Sequence, residues 1–254
     1  MKLEVEGVAK AYALPILADV SFQAAQGEFV CLLGPNGCGK TTLLRIIGGL
    51  EAPTAGEVRI DGRPVACGGT RDLPVGVVFQ EDRLLPWMTL ADNVGLVLKP
   101  QGLDAPARRT TATRYLRFVG LQGFEHYYPG RVSGGMRQRA AIARALAIGP
   151  DLLLMDEPFG ALDAQNRRIM QAEVKRIWAE TGKTIVFVTH SIEEAVSIGT
   201  TLIMLSARPA RVRELIRLDG PGGGSPDPRG VVDHLNQVIM EEVVRQQGED
   251  AERP

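Results

Sequence analysis

Apolar residues fall in short runs over the first third of the chain. "LEVEGVAKAY", "VSFQAAQG", "FVCLLG", "EVRIDG" and "VGVVFQ" are separated by Gly, Asp and Pro turns, and they read as strands from Leu3 to about Gln80. One helix interrupts them after Lys40. From about Asp82 to Ile148 the strand signals stop and helical spacing takes over, including "APARRTTATRYLRFVG" with its arginines along one solvated face, which predicts an inserted helical segment. Strand runs return as "DLLLMDEP", "TIVFVTH" and "TLIMLS", alternating with helical patterns at about Ala164–Glu180 and Ile192–Ile198. That alternation is the signature of a parallel sheet with crossover helices, so the core is split in sequence. Beyond "RVRELIRL", the stretch "DGPGGGSPDPRG" (219–230) reads as a flexible connector, and Val231, Leu235, Val238, Ile239 and Val243 then recur at helical spacing to about Gln246.

Composition narrows this picture. A chain of 254 residues, 44% of them hydrophobic, suits one large α/β domain or a domain with a subdomain. Its 29 Lys and Arg balance 30 Asp and Glu for a formal charge of −1, which lacks the footprint of a general nucleic-acid binder. Cys31, Cys38 and Cys67 show neither metal-ligand spacing nor an even disulfide framework, and "MKLEVEGVAK" does not read as a signal peptide, so a reducing cytoplasm is expected. No apolar run approaches the roughly 20 residues of a spanning helix, and any membrane role is expected to be peripheral.

Chemistry enters at "GPNGCGKT", which follows the strand "FVCLL" and opens the helix "TTLLRIIGGL". The pattern G-x-x-x-x-G-K-[ST] at a strand-to-helix turn is a phosphate loop. In the loop Gly34, Pro35, Asn36, Gly37, Cys38 and Gly39 the glycines let backbone N–H groups turn inward around the phosphates, Lys40 reaches the β- and γ-phosphates, Thr41 offers its hydroxyl to Mg²⁺, and Thr42 is a further phosphate contact. Cys38 reads as loop filler rather than a nucleophile. "DLLLMDEP" ends a buried strand in two acids: Asp156 suits a metal carboxylate, and Glu157 lies where it can take a proton from an attacking water. His190 ends "TIVFVTH" and Gln80 ends "VGVVFQ", both at the carboxyl edge of the sheet where a γ-phosphate would sit. Either could equally be structural. "RVSGGMRQR" presents a second anion site, with Ser133 as helix cap and Gly134 and Gly135 allowing close backbone approach, although the same residues also make a simple turn and cap.

Taken in order, "GPNGCGKT", the Gln of "VVFQE", "VSGGMRQR", "LLLMDEP", "ALD" and "VTH" resemble the nucleotide-binding subunit of ATP-binding cassette (ABC) transporters over roughly residues 1–218. The resemblance implies an α/β fold: a P-loop NTPase core, with a mixed or parallel sheet and an antiparallel β subdomain, carrying an inserted α-helical signature subdomain at about 82–150. It also implies a head-to-tail homodimer with each ATP between the phosphate loop of one copy and the Ser-Gly-Gly loop of the other. By the same carry-over Tyr12 stacks on adenine, Gln80 links Mg²⁺ and water to a membrane partner, Asp163 lies across the dimer, Glu157 is the general base and His190 the γ-phosphate switch. Val132 stands where the family usually has leucine, and Cys38 is a variant of a serine position.

The segment "FQEDRLLPWMTLADNV" is similar to importer subunits for nitrate, sulfonate, taurine and related solutes. There Leu84, Leu85, Pro86 and Trp87 form either loop core or a groove for a coupling helix of an integral membrane permease. An extracytoplasmic solute-binding protein is the indirect partner, and the cytoplasmic face of the inner membrane is the expected location. The chain lacks the long second domain of many carbohydrate-importer subunits, so no regulatory domain is expected, and the helix from 231 is expected to pack on its own subunit. An exporter or lipid-transport ATPase is the alternative within the family. A cassette acting on nucleic acid is disfavoured by the absence of a heptad run and by a net charge near zero, and a monomeric kinase or GTPase would leave "VSGGMRQR" unexplained.

Overall fold

The computed structural model describes residues 1–68, 75–160, 162–218 and 227–251. Strands β1 (Leu3–Ala11), β2 (Pro15–Ala24) and β3 (Phe29–Leu33) lead to helix α1 (Lys40–Ile47). Next come β4 (Ala55–Ile60), β5 (Arg63–Pro64), β6 (Val75–Val78), α2 (Leu90–Leu96), α3 (Ala105–Phe118) and α4 (Gly134–Ala147). β7 (Leu152–Asp156), α5 (Ala164–Thr181), β8 (Thr184–Val188), α6 (Ile192–Ile198), β9 (Thr201–Leu205), β10 (Val212–Arg217) and α7 (Pro228–Ala251) follow. The chain divides into two compact units, Met1–Leu73 with Gly182–Pro254, and Pro74–Thr181.

In the first unit, β2, β1, β4 and β5 pair antiparallel in that order. A second set places β3 between β8 and β9, parallel to both, with β10 antiparallel on the outer side of β9. Every residue of β3, β8 and β9 is buried. This is why their sequences are continuous apolar runs rather than alternating ones: α1 packs against β8 and α6 against β3. Each such Leu, Ile or Phe contributes about 2 kcal/mol by leaving water. The helix α7 packs on α6 and buries Val231, Leu235 and Val238.

In the second unit, β6 and β7 pair parallel, and α2, α3 and α4 pack on one another. Each of these helices starts at a side-chain cap: Thr89 accepts from Asp92 N at 3.1 Å, Asp104 from Ala107 N at 2.8 Å and Ser133 from Met136 N at 3.3 Å. Ahead of α2, the fully buried Asn93 folds the turn 85–89 around itself. It accepts from Leu85 N at 2.7 Å and donates to the carbonyls of Leu85, Met88 and Thr89 at 3.0–3.2 Å.

Several boundaries differ from the sequence expectation. β6 ends at Val78, so Gln80 lies two residues beyond the strand; the Phe79 carbonyl is taken by Gln138 Nε2 of α4 at 3.4 Å instead of continuing the ladder. β8 ends at Val188, because the Thr189 side chain turns the chain by accepting from Ser191 N at 3.0 Å, and His190 follows in that turn. The charged run "VRELIR" is a strand, β10, whose residues alternate in burial. The last helix begins at Pro228, not 231. Asp227 caps it, accepting from Gly230 N at 3.1 Å, and proline suits a first helical turn because its missing N–H has no partner there anyway. Of the expected connector, 219–226 lies outside the described residues, as does Ala161 of "ALD". Of the segment Leu84 to Trp87, Leu84 is in the core and Trp87 is 70% exposed.

Candidate functional site

In the first unit, β3 runs straight into the loop 34–39 and α1. The loop is wedged between neighbours that leave no room for side chains at two glycines. A Cβ on Gly34 would lie 2.8 Å from the Leu205 carbonyl oxygen, and one on Gly39 would lie 2.8 Å from Ile16 Cγ2 and Leu17 Cδ2. Gly39, at φ 116°, also sets the start of α1 without a side-chain cap. Lys40 is buried, and its Nζ donates to the carbonyls of Gly34 at 2.8 Å and Pro35 at 2.9 Å, which folds the loop around the ammonium. Thr41 and Thr42 occupy the first turn of α1, where amide N–H groups have no intrahelical acceptor and the helix dipole is positive. Chemically the arrangement can hold a phosphate, offering it one cation and a helix start.

Cys38 is fully buried, and burial pushes its thiol up against the opposing charges of Lys40 and Arg208, so it stays a neutral packing group. Tyr12 is 59% exposed beyond β1, and its hydroxyl bonds to Glu51, with Lys10 Nζ 5.0 Å from the ring centroid. The Glu51 bond raises the Tyr12 phenol, burial adds to it, and the charge of Lys10 and a hydrogen bond with Thr42 oppose the rise. His190 is exposed after β8, whose parallel pairing with β3 puts it at the same carboxyl edge as the phosphate loop; Thr189 N donates to Leu32 O at 3.2 Å.

The second unit gathers the other expected residues. Gln80 and Glu157 follow the paired strands β6 and β7 at one edge, and both flank Gly160: a Cβ there would lie 3.4 Å from Gln80 Nε2 and 3.9 Å from Glu157 Oε2. Asp156 is the buried last residue of β7. Glu157 has φ 43°, a left-handed conformation that costs a non-glycine residue on the order of 1 kcal/mol or more and is held by the turn Gly160 N to Glu157 O at 3.1 Å. Ser133 accepts the cap bond of α4, which leaves a hydroxyl proton to give to an anion in front of Gly134 and Gly135. A Cβ on Gly135 would lie 3.9 Å from Asn166 Oδ1, and Asn166 donates from N and Nδ2 to the Asp163 carboxylate at 2.9 and 2.7 Å. The Asn166 backbone bond first, then its side chain, holds the Asp163 carboxyl below its ordinary value. A cavity of about 630 Å³ is lined by Gln80, Gly134, Arg137 and Gln138 among others.

The family model for ABC transporters matches residues 17–160, more than half of the chain. The chain belongs to the ABC transporter family. The cassette is 49% identical over 218 residues to the taurine import ATP-binding protein TauB of Yersinia pestis, covering 85% of this chain and 84% of that one. It is 44% identical to the Burkholderia pseudomallei TauB over 243 residues and 92% of each chain, and 45% identical to an uncharacterized ABC transporter ATP-binding protein of Methanocaldococcus jannaschii over 86% and 83%. Among solved structures, a dimeric ATP-binding cassette in a post-hydrolysis state with ADP and Pi superposes with a TM-score of 0.76 at 35% identity, covering 86% of this chain and 99% of that one. The fold is that of an ABC ATPase cassette, an α/β P-loop NTPase, and the protein is an ATP-binding ATPase.

The donor chemistry fits Mg²⁺ carried by a nucleotide. The expected ligands are all hard oxygens, and among the described residues no group of three or more His, Cys, Asp or Glu could hold a metal by itself; Mg²⁺ typically takes one or two protein oxygens plus phosphate and water. No helix of the described residues is long and apolar enough to cross a membrane. Two side chains in contact with the expected site residues escaped the sequence reading: Arg208, whose Nε donates to Gly37 O, and Glu51, which bonds to the Tyr12 hydroxyl. Neither carries a motif, because a backbone carbonyl and a phenol can be met by almost any polar side chain.

Proposed function

We propose that this ABC cassette is the ATP-hydrolysing subunit of an importer for a small solute of the nitrate, sulfonate or taurine class, working on the cytoplasmic face of the inner membrane with a separate permease and an extracytoplasmic binding protein. The observation that carries the mechanism is that one chain presents two anion-binding helix starts, the Lys40 cradle in one unit and the Ser133 cap in the other, which a single nucleotide in a single chain does not need. Two copies arranged head to tail would use both, and the dimeric state of the similar cassette supports a dimer. The taurine-import relatives at 44–49% identity support the solute class.

In this reading Tyr12 stacks on adenine, residues 34–39 and Thr42 cradle the phosphates, and Lys40 neutralises charge on the β- and γ-phosphates. Thr41, Gln80 and Asp156 would hold Mg²⁺, which neutralises phosphate charge when bound. Glu157 orients and deprotonates the water, His190 senses the γ-phosphate, and Ser133, Gly134 and Gly135 of the opposing copy close the site beside its Asp163. Phosphoryl transfer of this kind depends mainly on positioning and charge stabilisation.

The test mixes two variants. Ser133→Arg alone and Lys40→Ala alone each lose hydrolysis, whereas their mixture regains turnover, because a heterodimer retains one site with an intact loop from each copy. Turnover kept by Ser133→Arg alone would overturn the composite site.

A further inference from the structure

The segment between β9 and β10 touches the phosphate loop and the last helix at once. Its ends are tied together by Ser206 N to Arg211 O at 2.9 Å and Arg211 N to Ser206 Oγ at 3.0 Å. Its middle is tied to β2 by Ala210 N to Ile16 O at 2.8 Å and Ala18 N to Ala210 O at 2.9 Å. Ala207 N donates to Glu242 Oε2 of α7 at 2.8 Å. Glu242 is 3% exposed, and Arg245 at 2.9 Å and Arg213 at 3.7 Å hold its other approaches. The next residue, Arg208, donates from Nε to Gly37 O, and its guanidinium would lie 3.3 Å from a Cβ on Gly37.

That contact fixes a peptide plane. In a trans peptide the carbonyl and the following N–H point in opposite directions. With Gly37 O turned out to Arg208, the Cys38 N–H is turned into the loop, where it approaches Pro35 O at 3.3 Å, a long bond of the sort a phosphate oxygen can replace. The Arg208 charge also reaches the loop interior, since it opposes the upward shift of the Cys38 thiol.

We propose that Arg208 is a positioning residue for nucleotide binding, and that Glu242 of the C-terminal helix sets it, so that α7 acts on the phosphate loop through Glu242, Ala207, Arg208 and Gly37. The proposal rests on residues 34–42 being the nucleotide site.

The experiment measures binding of a fluorescent ATP analogue with Mg²⁺, steady-state ATPase kinetics and the melting temperature of the nucleotide-free full chain. Arg208→Ala, a change at an exposed side chain, weakens binding and raises KM about tenfold, the order expected for one charge-assisted hydrogen bond, with the melting temperature held. Arg208→Lys, which keeps a charge and a donor, recovers most of the loss. Glu242→Ala weakens binding similarly, and the double variant with Arg208→Ala is no weaker than Arg208→Ala alone, because the two act in series. Glu242→Gln, which keeps an acceptor for Ala207 N, serves where Glu242→Ala does not fold, and it binds at least as well as Arg208→Ala. Binding by Arg208→Ala within twofold of the unmodified chain overturns the inference, as does an additive double variant or a loss that tracks melting temperature and ignores lysine. An unmodified chain that fails to bind the analogue at all removes the nucleotide reading and this link with it, whereas normal binding with an indifferent Arg208→Ala removes the link alone.

Discussion

Glu157 shows how much a single residue is made to do. Its φ of 43° is a conformation that glycine would adopt freely, yet a carboxylate stands there, turned at the end of β7 beside Gln80 and Gly160. Strain at such a position is maintained only where the surroundings over-determine it, and here Asp156 is buried on one side and the Gly160 turn closes the other. Glu157→Gln keeps shape and removes the base: it should bind ATP, accumulate as the nucleotide-bound dimer and lose turnover by about 100-fold or more. Near-normal hydrolysis by the purified variant would remove the base assignment. The residue itself was legible, because two acids after a buried apolar run are a pattern; its backbone was not, because nothing in the letters of "MDEPFG" marks a left-handed glutamate. Arg208 is the converse case, a side chain whose partner is a carbonyl and therefore has no signature at all.

At the scale of elements, α4 does more than present Ser133. Arg137 Nε holds the Asp82 carboxylate at 2.9 Å, and Arg144 donates to the carbonyls of Asp82 and Arg83 at 2.8 and 2.7 Å, so the segment following Gln80 is fastened to the helix that follows the Ser-Gly-Gly turn. Beyond it, the turn folded around Asn93 carries Trp87 out to 70% exposure beside a cavity of about 270 Å³ that Met88, Ala91 and Leu96 also line. Trp87→Ala should uncouple transport in a reconstituted importer and leave basal ATPase unchanged; unchanged transport would remove this surface as the permease contact. The helices were readable from spacing, with a cap recognisable at Ser133, and Ile192–Ile198 has the expected limits. β10 was not, since an outer strand with Arg213 and Arg217 on its exposed face and Glu214 on the other looks like any solvated segment until β9 is beside it. The start of α7 was obscured by the glycines around "DPRG", although Asp227 followed by proline is itself a helix-start signal.

For the whole molecule, the sequence pattern has strands returning after a helical stretch at about 82–150; one compact unit is made from both ends of the chain, and the other, Pro74–Thr181, takes in β6, β7 and α5 as well as the helices between them. What it could not show is which strand meets which, because buried parallel strands are all apolar runs and differ only in tertiary pairing. The pairing found has a consequence for the order of events on the ribosome. β3, which feeds the phosphate loop, is flanked by β8 and β9, both encoded far downstream. The loop is therefore translated early and has no sheet to stand on until the last quarter of the chain has emerged, a long-range closure of the slow kind. A nascent chain stalled after Thr181 should bind no ATP analogue, and one released at full length should bind it. Until then "GPNGCGKT" is a flexible glycine-rich segment, so a newborn copy cannot occupy nucleotide, or engage a finished partner through it, before its own synthesis is nearly complete.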